Sequence, residues 1–276
     1  MKIGFFYNYY NTKLREENNK GGIYMGLIEG KVAIVTGGGQ GLGEGICKNF
    51  AKQGASVAIF GRTFSKVERV ANEIKEAGGN AIPILCDISN RESVNEAVKM
   101  VVDTYGKIDI LVNNAMVQRL VPFDQSTAED LMAAYESSVL GTYNMMMACF
   151  PYLKETKGKV VNMGSAAGTE GRPNQITYAA SKEAVRGLTK GFAVEWGVYG
   201  INVNVVCPTG SSPAWEAYAA QIGEEGVQKT LSQFLIKRMG DPETDIANVV
   251  LFASSYLSDY MTGRTLFADG GRACFR

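Results

Sequence analysis

The sequence predicts an α/β protein whose single doubly wound domain holds a parallel sheet with helices on both faces. From Val32 onward, short β-branched runs alternate with amphipathic helical stretches, which is typical of strands joined by helical crossovers. A glycine-rich loop directly follows the first predicted strand. The chain of 276 residues shows no internal repeat, low-complexity tract or linker that would divide it. One domain therefore accounts for the whole alternating pattern.

Seven strands and six intervening helices are expected from the apolar periodicity. The predicted strands lie near residues 32–36, 56–60, 81–86, 108–112, 159–163, 201–206 and 265–267. The predicted helices lie near residues 42–53, 65–77, 91–105, 128–153, 176–199 and 213–237.

Composition excludes several classes of function. The 28 basic residues are balanced by 28 acidic ones, so no basic field is available to hold nucleic acid phosphates. The chain contains no histidine, which excludes a Ser-His-Asp hydrolase, a HExxH protease and a His-ligated metal centre. Proton transfer must then use Tyr, Lys, Asp, Glu or Cys, and no metal site is expected.

The cysteines and the apolar runs indicate a cytoplasmic protein. The five cysteines are odd in number and widely spaced, which predicts free buried thiols in a reducing compartment; they are Cys47, Cys86, Cys149, Cys207 and Cys274. The longest apolar stretch, 139–153, is too short to span a membrane and is interrupted by polar residues. No membrane partner is expected.

Residues 1–24 differ from the rest of the chain and are interpreted as an N-terminal extension before a domain at 25–276. They carry aromatic and charged residues without a helical or alternating period. Met25 opens the segment before the first strand, so the natural start could be Met25. The alternative is an aromatic arm that packs on a neighbouring subunit.

The glycine-rich loop of residues 36–43 predicts a dinucleotide site. Its glycines allow a tight turn, close approach of backbone N–H groups to a pyrophosphate, and tight packing of the next helix. The expected contacts come from Gly37, Gly39, Gln40, Gly41, Leu42 and Gly43.

The end of the second strand favours NADP(H) over NAD(H). An acidic residue at this point accepts a hydrogen bond from the ribose 2′-hydroxyl of NAD, whereas an arginine accommodates a 2′-phosphate. The sequence here is Gly61-Arg62, and no acid is present. Arg62 as a solvated surface charge is the alternative interpretation, since Gln40 offers no second positive charge.

Polar residues follow several strands at the carboxyl edge of the predicted sheet, where ligands of such sheets bind. They are Asp87, Asn114 and Ser165. Tyr178 and Lys182 lie one turn apart on a predicted helix, so their side chains share a face. An ammonium beside a phenol is expected to lower the pKa of the tyrosine, which would suit it as a general acid and base.

Taken together, these motifs resemble the short-chain dehydrogenase/reductase family. The resemblance covers residues 31–271: the loop at 36–43, the Asn-Asn-Ala of 113–115, Ser165 thirteen residues before Tyr178, and Lys182. It implies a Rossmann-type sheet of seven strands, a nicotinamide cofactor and a homotetramer or homodimer.

The resemblance also implies roles for individual residues. Tyr178 would transfer the proton, Ser165 would hydrogen-bond the substrate oxygen, and Lys182 would bind the nicotinamide ribose. Asp87 and Ile88 would surround the adenine. Further cofactor contacts would come from Asn114, Pro208 and Gly210.

Three departures from the family pattern lie near the expected reaction centre. Ser138 stands where the family has an asparagine that supports a proton-relay water. Met116 replaces the usual glycine after Asn-Asn-Ala, and Thr209 separates Pro208 from Gly210. These changes would either shape a specific pocket or weaken catalysis.

The predicted function is interconversion of a secondary alcohol and a ketone with NADP(H). The substrate is a small molecule. A weaker resemblance to bile-acid hydroxysteroid dehydrogenases, over segments such as 151–156 and 240–243, favours a hydroxysteroid. A 3-oxoacyl carrier-protein reductase is the alternative. A catalytically silent NADP-binding sensor is the alternative from another class. Trp215 and Tyr218 are expected either to line the pocket or to pack.

Overall fold

In the computed structural model, residues 26–117 and 121–273 are described. The predicted extension at 1–24 and Cys274 lie outside these residues. The remaining chain folds around one seven-stranded sheet in which every neighbouring pair of strands is parallel, in the order β3-β2-β1-β4-β5-β6-β7. The predicted doubly wound α/β fold is therefore confirmed. The strands are β1 (Val32–Thr36), β2 (Ser56–Gly61), β3 (Asn80–Leu85), β4 (Ile110–Asn113), β5 (Lys159–Met163), β6 (Asn202–Pro208) and β7 (Thr265–Ala268).

Helices cover both faces of the sheet. The α-helices among the described residues are α1 (Gly41–Lys52), α2 (Phe64–Glu76), α3 (Arg91–Tyr105), α4 (Ala128–Tyr135), α5 (Gly141–Thr156), α6 (Ala166–Glu170), α7 (Ile176–Trp196), α8 (Pro213–Leu231) and α9 (Ala247–Ser254). Short 3-10 turns lie at Phe123–Gln125, Gly197–Tyr199 and Tyr256–Ser258.

Strand β1 shows how the two cores form, because successive side chains point to opposite faces. Ala33 and Val35 join the core under α1, α2 and α9, whereas Val32 and Ile34 join the core under α3, α5 and α7. All five β1 residues are buried. A continuous apolar run is thus what a central parallel strand requires, as the sequence indicated.

The predicted helix at 128–153 is interrupted by a wider, π-helical turn at Glu136–Leu140 between α4 and α5. At this turn the Ser137 hydroxyl donates to the carbonyl of Ala133 at 2.9 Å and accepts from the Val117 amide at 3.2 Å. The apolar period continues across the turn, so periodicity alone predicted one unbroken helix. The turn brings Ser137 to the edge of the sheet.

The predicted helix at 213–237 was too long. Gly223 has φ 68° and interrupts α8, which ends at Leu231. Beyond it, the amides of Leu235 and Ile236 both donate to the carbonyl of Gly270, so the backbone is committed to another segment. Two helices were also missed: α6 has only five residues, and α9 is largely buried and lacks an amphipathic period.

The strand boundaries in the structure differ from the predicted ones by one or two residues. Strand β4 begins at Ile110 instead of 108, where the Asp109 carboxylate accepts hydrogen bonds from the Val32 amide and the Lys31 ammonium. The predicted helix at 176–199 ends as an α-helix at Trp196. Strand β6 continues to Pro208, which carries the chain to the carboxyl edge of the sheet.

Four cysteines, Cys47, Cys86, Cys149 and Cys207, are free and buried. Within ranges 26–117 and 121–273, no cluster of three or more acidic or cysteine side chains is placed to hold a metal ion. No helix in the same ranges is long and apolar enough to cross a membrane.

Candidate active site

A cleft of about 880 Å³ lies at the carboxyl edge of the sheet. Fifteen of the sixteen residues predicted for the site line it: Gly37, Gly39, Gln40, Gly41, Leu42, Gly43, Arg62, Asp87, Ile88, Asn114, Ser165, Tyr178, Lys182, Pro208 and Gly210. The exception is Ser138. Segments far apart in sequence thus meet at the edge where the strand order reverses beside β1.

The glycine loop fits the backbone requirements of a dinucleotide. Gly37 adopts φ 66°, a left-handed conformation that favours glycine. A Cβ at Gly43 would overlap the carbonyl oxygen of Gly37, so the start of α1 packs directly on the loop. The N-terminal end of α1 faces the cleft, where its unpaired amides and positive dipole end suit a phosphate.

Asn114 fixes this loop to the end of β4. Its side-chain amide donates to the carbonyls of Thr36 and Gly37 at 3.0 and 3.3 Å. The Thr36 hydroxyl in turn accepts from the amides of Asn114 and Ala115 at 2.9 and 3.0 Å. The ends of β1 and β4 are therefore joined by four hydrogen bonds beneath the loop.

A second positive charge lies beside the loop, in addition to Arg62, which was predicted from the sequence. Arg62 is exposed at the rim of the cleft, after β2. Lys66, in the first turn of α2, also lines the cleft, and its ammonium donates to the Gln40 side-chain oxygen at 2.6 Å. Its spacing of four from Arg62 at a helix start was the signal that could have revealed it.

Asp87 and Ile88 form the wall after β3. The Asp87 carboxylate accepts from both the amide and the hydroxyl of Ser89, at 3.0 and 2.7 Å, which fixes its orientation. Ile88 is buried and packs against Gly141 at the start of α5, where a side chain would not fit. This wall combines one apolar and one polar group, as a site for a heterocyclic base requires.

Ser165, Tyr178 and Lys182 lie together at the other end of the cleft. Ser165 precedes α6, and its hydroxyl accepts from the Ala167 amide at 3.1 Å. The Tyr178 hydroxyl is hydrogen-bonded to that of Ser165. The Lys182 ammonium is buried, donates to the Met163 carbonyl at 2.8 Å and lies 5.8 Å from the centre of the Tyr178 ring.

The pKa of Tyr178 departs from the expectation that Lys182 would lower it. Burial raises the pKa of Tyr178 above its usual value, and the hydrogen bond from Ser165 opposes that rise, as does the positive charge of Arg172. Burial lowers the pKa of Lys182 to about 8. Desolvation of both groups therefore outweighs their mutual influence in this structure.

Ser138 is buried in the π-helical turn, with 2% of its surface exposed, and does not line the cleft. Its hydroxyl has no hydrogen-bond partner among the residues that the structure describes. The neighbouring Glu136 and Ser137 face the cleft instead. The structure therefore does not bring Ser138 together with the other predicted site residues.

Cys207 in β6 does not offer a nucleophile to this site. Burial raises the pKa of its thiol to about 11, so the thiol stays protonated near neutral pH. Tyr178 and Lys182 are then the titratable residues that lie with Ser165 in the cleft and can exchange a proton. The arrangement can hold an oxygen atom and exchange a proton with it.

The cleft continues beyond Tyr178 into a second cavity of about 710 Å³. Arg172, Gln175, Ser212 and Ala214 line both spaces. Trp215 and Tyr218 line the second cavity, with ring centres 6.1 Å apart. Of the two expectations for this aromatic pair, pocket lining is the one that the structure supports. Arg172 was missed because no motif singles it out.

The fold and the site are typical of oxidoreductases that use a nicotinamide cofactor, and comparison with known proteins identifies the family. Residues 31–221 match the family model described as short chain dehydrogenase. The chain therefore belongs to the short-chain dehydrogenase/reductase family, whose members are oxidoreductases that act on alcohols and ketones.

Two curated relatives extend the match over the full domain. A 12alpha-hydroxysteroid dehydrogenase from Clostridium sp. is 38% identical over 255 residues, which cover 90% of this chain and 98% of the relative. The 3-oxoacyl-acyl-carrier-protein reductase FabG of Thermotoga maritima is 34% identical, covering 88% and 98%. A crystal structure of a protein from Sinorhizobium meliloti 1021, assigned to the short-chain alcohol dehydrogenases, superposes with a TM-score of 0.83. It is 27% identical and the match covers 88% of this chain and 96% of that chain.

Proposed function

We propose that this protein is an NADP(H)-dependent oxidoreductase that interconverts a secondary alcohol and a ketone, with Tyr178 as the acid and base. The observation that carries the proposal is the hydrogen bond between Tyr178 and Ser165 beside the buried Lys182 ammonium. This group lies in the same cleft as the glycine loop. The site therefore combines proton transfer with a place for a dinucleotide.

The nicotinamide, when bound, supplies or accepts the hydride. In the reductive direction the Tyr178 hydroxyl gives its proton to the carbonyl oxygen, and the raised pKa keeps that proton in place near neutral pH. The Ser165 hydroxyl hydrogen-bonds the same oxygen and polarises the carbonyl. Lys182 would hold the nicotinamide ribose through the N–H groups that Met163 leaves free. Ser138 is proposed to support a water through its unpaired hydroxyl.

The preference for NADP(H) over NAD(H) is supported by two positive side chains. Arg62 follows β2 where an acid would select NAD, and Lys66 lies across the same part of the cleft. A guanidinium can bind a phosphate through two parallel hydrogen bonds. Lys66 supplies the second charge that the glycine loop itself lacks.

The substrate is proposed to be a hydroxysteroid or bile acid. The Clostridium relative named for that activity supports this, as does the second cavity, whose size suits a bulky molecule. A 3-oxoacyl carrier-protein substrate is the second candidate, supported by the similarity to FabG.

Assembly into a homotetramer or homodimer is supported by exposed apolar side chains on α5 and α7. Tyr143 and Met147 on α5 and Val194 on α7 are all exposed, Val194 at 77%. Such a patch suits burial by another copy of the chain. A cytoplasmic location is also proposed, and the free thiols of the four described cysteines support it.

The Tyr178→Phe variant tests this function. Carbonyl-dependent oxidation of NADPH should fall by at least about a hundredfold, while NADPH binding measured by fluorescence stays near that of the wild type. Tyr256→Phe, at an exposed position outside the cleft, is the matched control and should keep full activity. Near-normal turnover of Tyr178→Phe would refute the mechanism. NADPH binding without turnover of any steroid, thioester or simple ketone would instead favour a silent sensor.

A further inference from the structure

The second cavity carries two arginines for which the reaction has no use. Arg172 lies between α6 and α7, six residues before Tyr178, and Arg272 follows β7. Both line the second cavity, and Arg172 also lines the main cleft. A positively charged wall therefore begins next to the catalytic tyrosine and continues away from it.

Arg172 has an unused donor. Its Nη2 atom is buried and has no hydrogen-bond partner in the described part of the chain. The Glu170 carboxylate forms an ion pair with Nη2 at 3.6 Å, a distance too long for a hydrogen bond. A buried N–H group without a hydrogen bond is costly unless another acceptor reaches it. A group that enters the cavity is positioned to supply that acceptor.

Arg272 is held in place by an aromatic ring, and within the described ranges no carboxylate forms an ion pair with it. Its guanidinium stacks over the ring of the buried Phe234, with 5.0 Å between the guanidinium carbon and the ring centre. Among the described residues its guanidinium donates one hydrogen bond, to the Gln233 side-chain oxygen, which is long at 3.5 Å. The nearby Asp269 carboxylate accepts from the amides of Gly271 and Ala273, so both its oxygens are already engaged.

The two guanidinium groups are close enough to influence each other. Burial lowers the pKa of Arg272, and the charge of Arg172 lowers it further, while the charges of Glu170 and Asp269 oppose that fall. The acidic residues that line these two spaces are Glu170 in the second cavity and Asp87 and Glu136 in the main cleft. The Glu170 carboxylate beside Arg172 offsets part of the repulsion between the two guanidiniums, and an anion that enters the cavity would offset the rest.

We propose that Arg172 and Arg272 form a subsite for an anionic group carried by the substrate at a distance from its reacting carbon. The proposal rests on the function proposed above, because it assumes that the carbonyl lies at Tyr178. A carboxylate or a phosphate satisfies both guanidiniums through charge-assisted hydrogen bonds. The subsite then selects substrates that combine an apolar body with a terminal negative charge.

Paired substrates separate charge from shape in this test. The carboxylate arm compares an oxo bile acid with its methyl ester. The phosphate arm compares a 3-oxoacyl coenzyme A with the N-acetylcysteamine thioester of the same acid. The wild-type protein should prefer the charged member of one pair by at least about tenfold in kcat/KM, mainly through a lower KM. The preference should decrease with added salt.

Arg272→Gln should abolish that preference and leave kcat/KM for the uncharged member within about twofold. Arg172→Gln should likewise remove the difference in KM between the charged and uncharged substrates. It should also shift the pH profile of kcat to higher pH, because the Arg172 charge that lowers the pKa of Tyr178 is lost. Arg238→Gln, which removes an exposed guanidinium paired with Asp245 outside both cavities, is the control and should change nothing.

Two results would overturn the subsite: equal use of both members of each pair by the wild type, or a preference that survives in both variants. Calorimetric titration of the same compounds into the NADP-loaded protein gives a readout that does not need turnover. Charge-dependent binding that Arg272→Gln abolishes, without turnover of any compound, would support the subsite while contradicting the proposed reaction. Turnover without charge dependence would support the proposed reaction and contradict the subsite.

Discussion

The two ends of the cleft differ in which groups form them: backbone groups form the cofactor end, and side chains form the substrate end. At the cofactor end, residues 36–43 contribute backbone turns and one helix start, held by the Asn114 and Thr36 hydrogen bonds. At the substrate end, side chains come from separate loops after β4, β5, β6 and β7, among them Met116, Arg172 and Ser212. The shape of the cofactor end is set by glycine positions where a Cβ would not fit. The shape of the substrate end is set by side chains that the tertiary fold brings together.

Gly43→Ala is the variant with the largest expected effect on the cofactor end. The new Cβ would overlap the Gly37 carbonyl and press on the Asn114 side chain, so the loop must move. We expect NADPH affinity to fall by about a hundredfold, which corresponds to ~2.7 kcal/mol. Fluorescence titration of NADPH measures the change.

Gly191→Ala is the matched control for this variant, because nothing lies near a Cβ at that exposed position in α7. It should bind NADPH as the wild type does and gain about 0.5–1 kcal/mol of stability from a better helix residue. Comparable NADPH binding by the two variants would show that the cofactor end tolerates more movement than its packing indicates.

Arg62→Ala tests whether side chains also matter at the cofactor end. Loss of a charge-assisted contact with a 2′-phosphate should cost about 1.5–3 kcal/mol, on the order of ten- to a hundredfold in NADPH affinity, while NADH kinetics change little. Lys66→Ala should weaken NADPH binding less, because its ammonium is shared with Gln40.

Lys75→Ala supplies the control for these cofactor variants, since Lys75 lies on the same helix as Lys66 but in its last turn, away from the cleft. It should leave the ratio of NADPH to NADH use unchanged. Equal use of both cofactors by the unmodified protein would contradict the assignment of NADP(H).

Lys182 lies where the two ends meet, and its burial predicts a pH dependence of stability. Its pKa is about 8 in the folded state against an ordinary value of 10.5, so the unfolded chain binds more protons between these values. The contribution of Lys182 to stability therefore rises with pH across this window and is smallest below it.

Relative to Lys182→Met, the wild type should gain about 2 kcal/mol in free energy of unfolding between about pH 7.5 and pH 9.5, at 1.36 kcal/mol per pKa unit. Urea denaturation of both proteins at the two pH values measures the difference. The use of a difference removes the contributions of the other titrating groups. A constant gap between the two proteins would mean that the Lys182 ammonium is not strained by burial.

The smallest effect is expected for a protein that begins at Met25. Because β1 starts at Val32 and its core contacts come from the described residues, the domain should fold without residues 1–24. Carbonyl reduction should stay within about threefold, or roughly 0.7 kcal/mol. Light scattering after size exclusion would show whether the oligomer persists; dissociation would support the alternative of an aromatic arm.

The comparison of the two ends also explains what the sequence could predict. Gly37 and Gly43 are constrained by local backbone geometry, so the loop, the strand before it and the helix after it were predictable from neighbouring residues. Arg172 and Arg272 are brought together only by the tertiary fold, a hundred positions apart in the chain. No spacing rule connects them. The position of Ser138 depended on the wider turn in its helix, which hydropathy does not report.

The four buried thiols should react very slowly with alkylating reagents in the folded protein, so their labelling rate can measure local opening. Cys207 is fully buried in β6, and burial raises the pKa of its thiol to about 11. An alkylating reagent can therefore reach this sulfur as a reactive thiolate only when that part of the sheet opens. In a Cys274→Ser background, the rate at which the reagent labels Cys207 would measure how often this part of the sheet opens. A bound dinucleotide should slow this labelling.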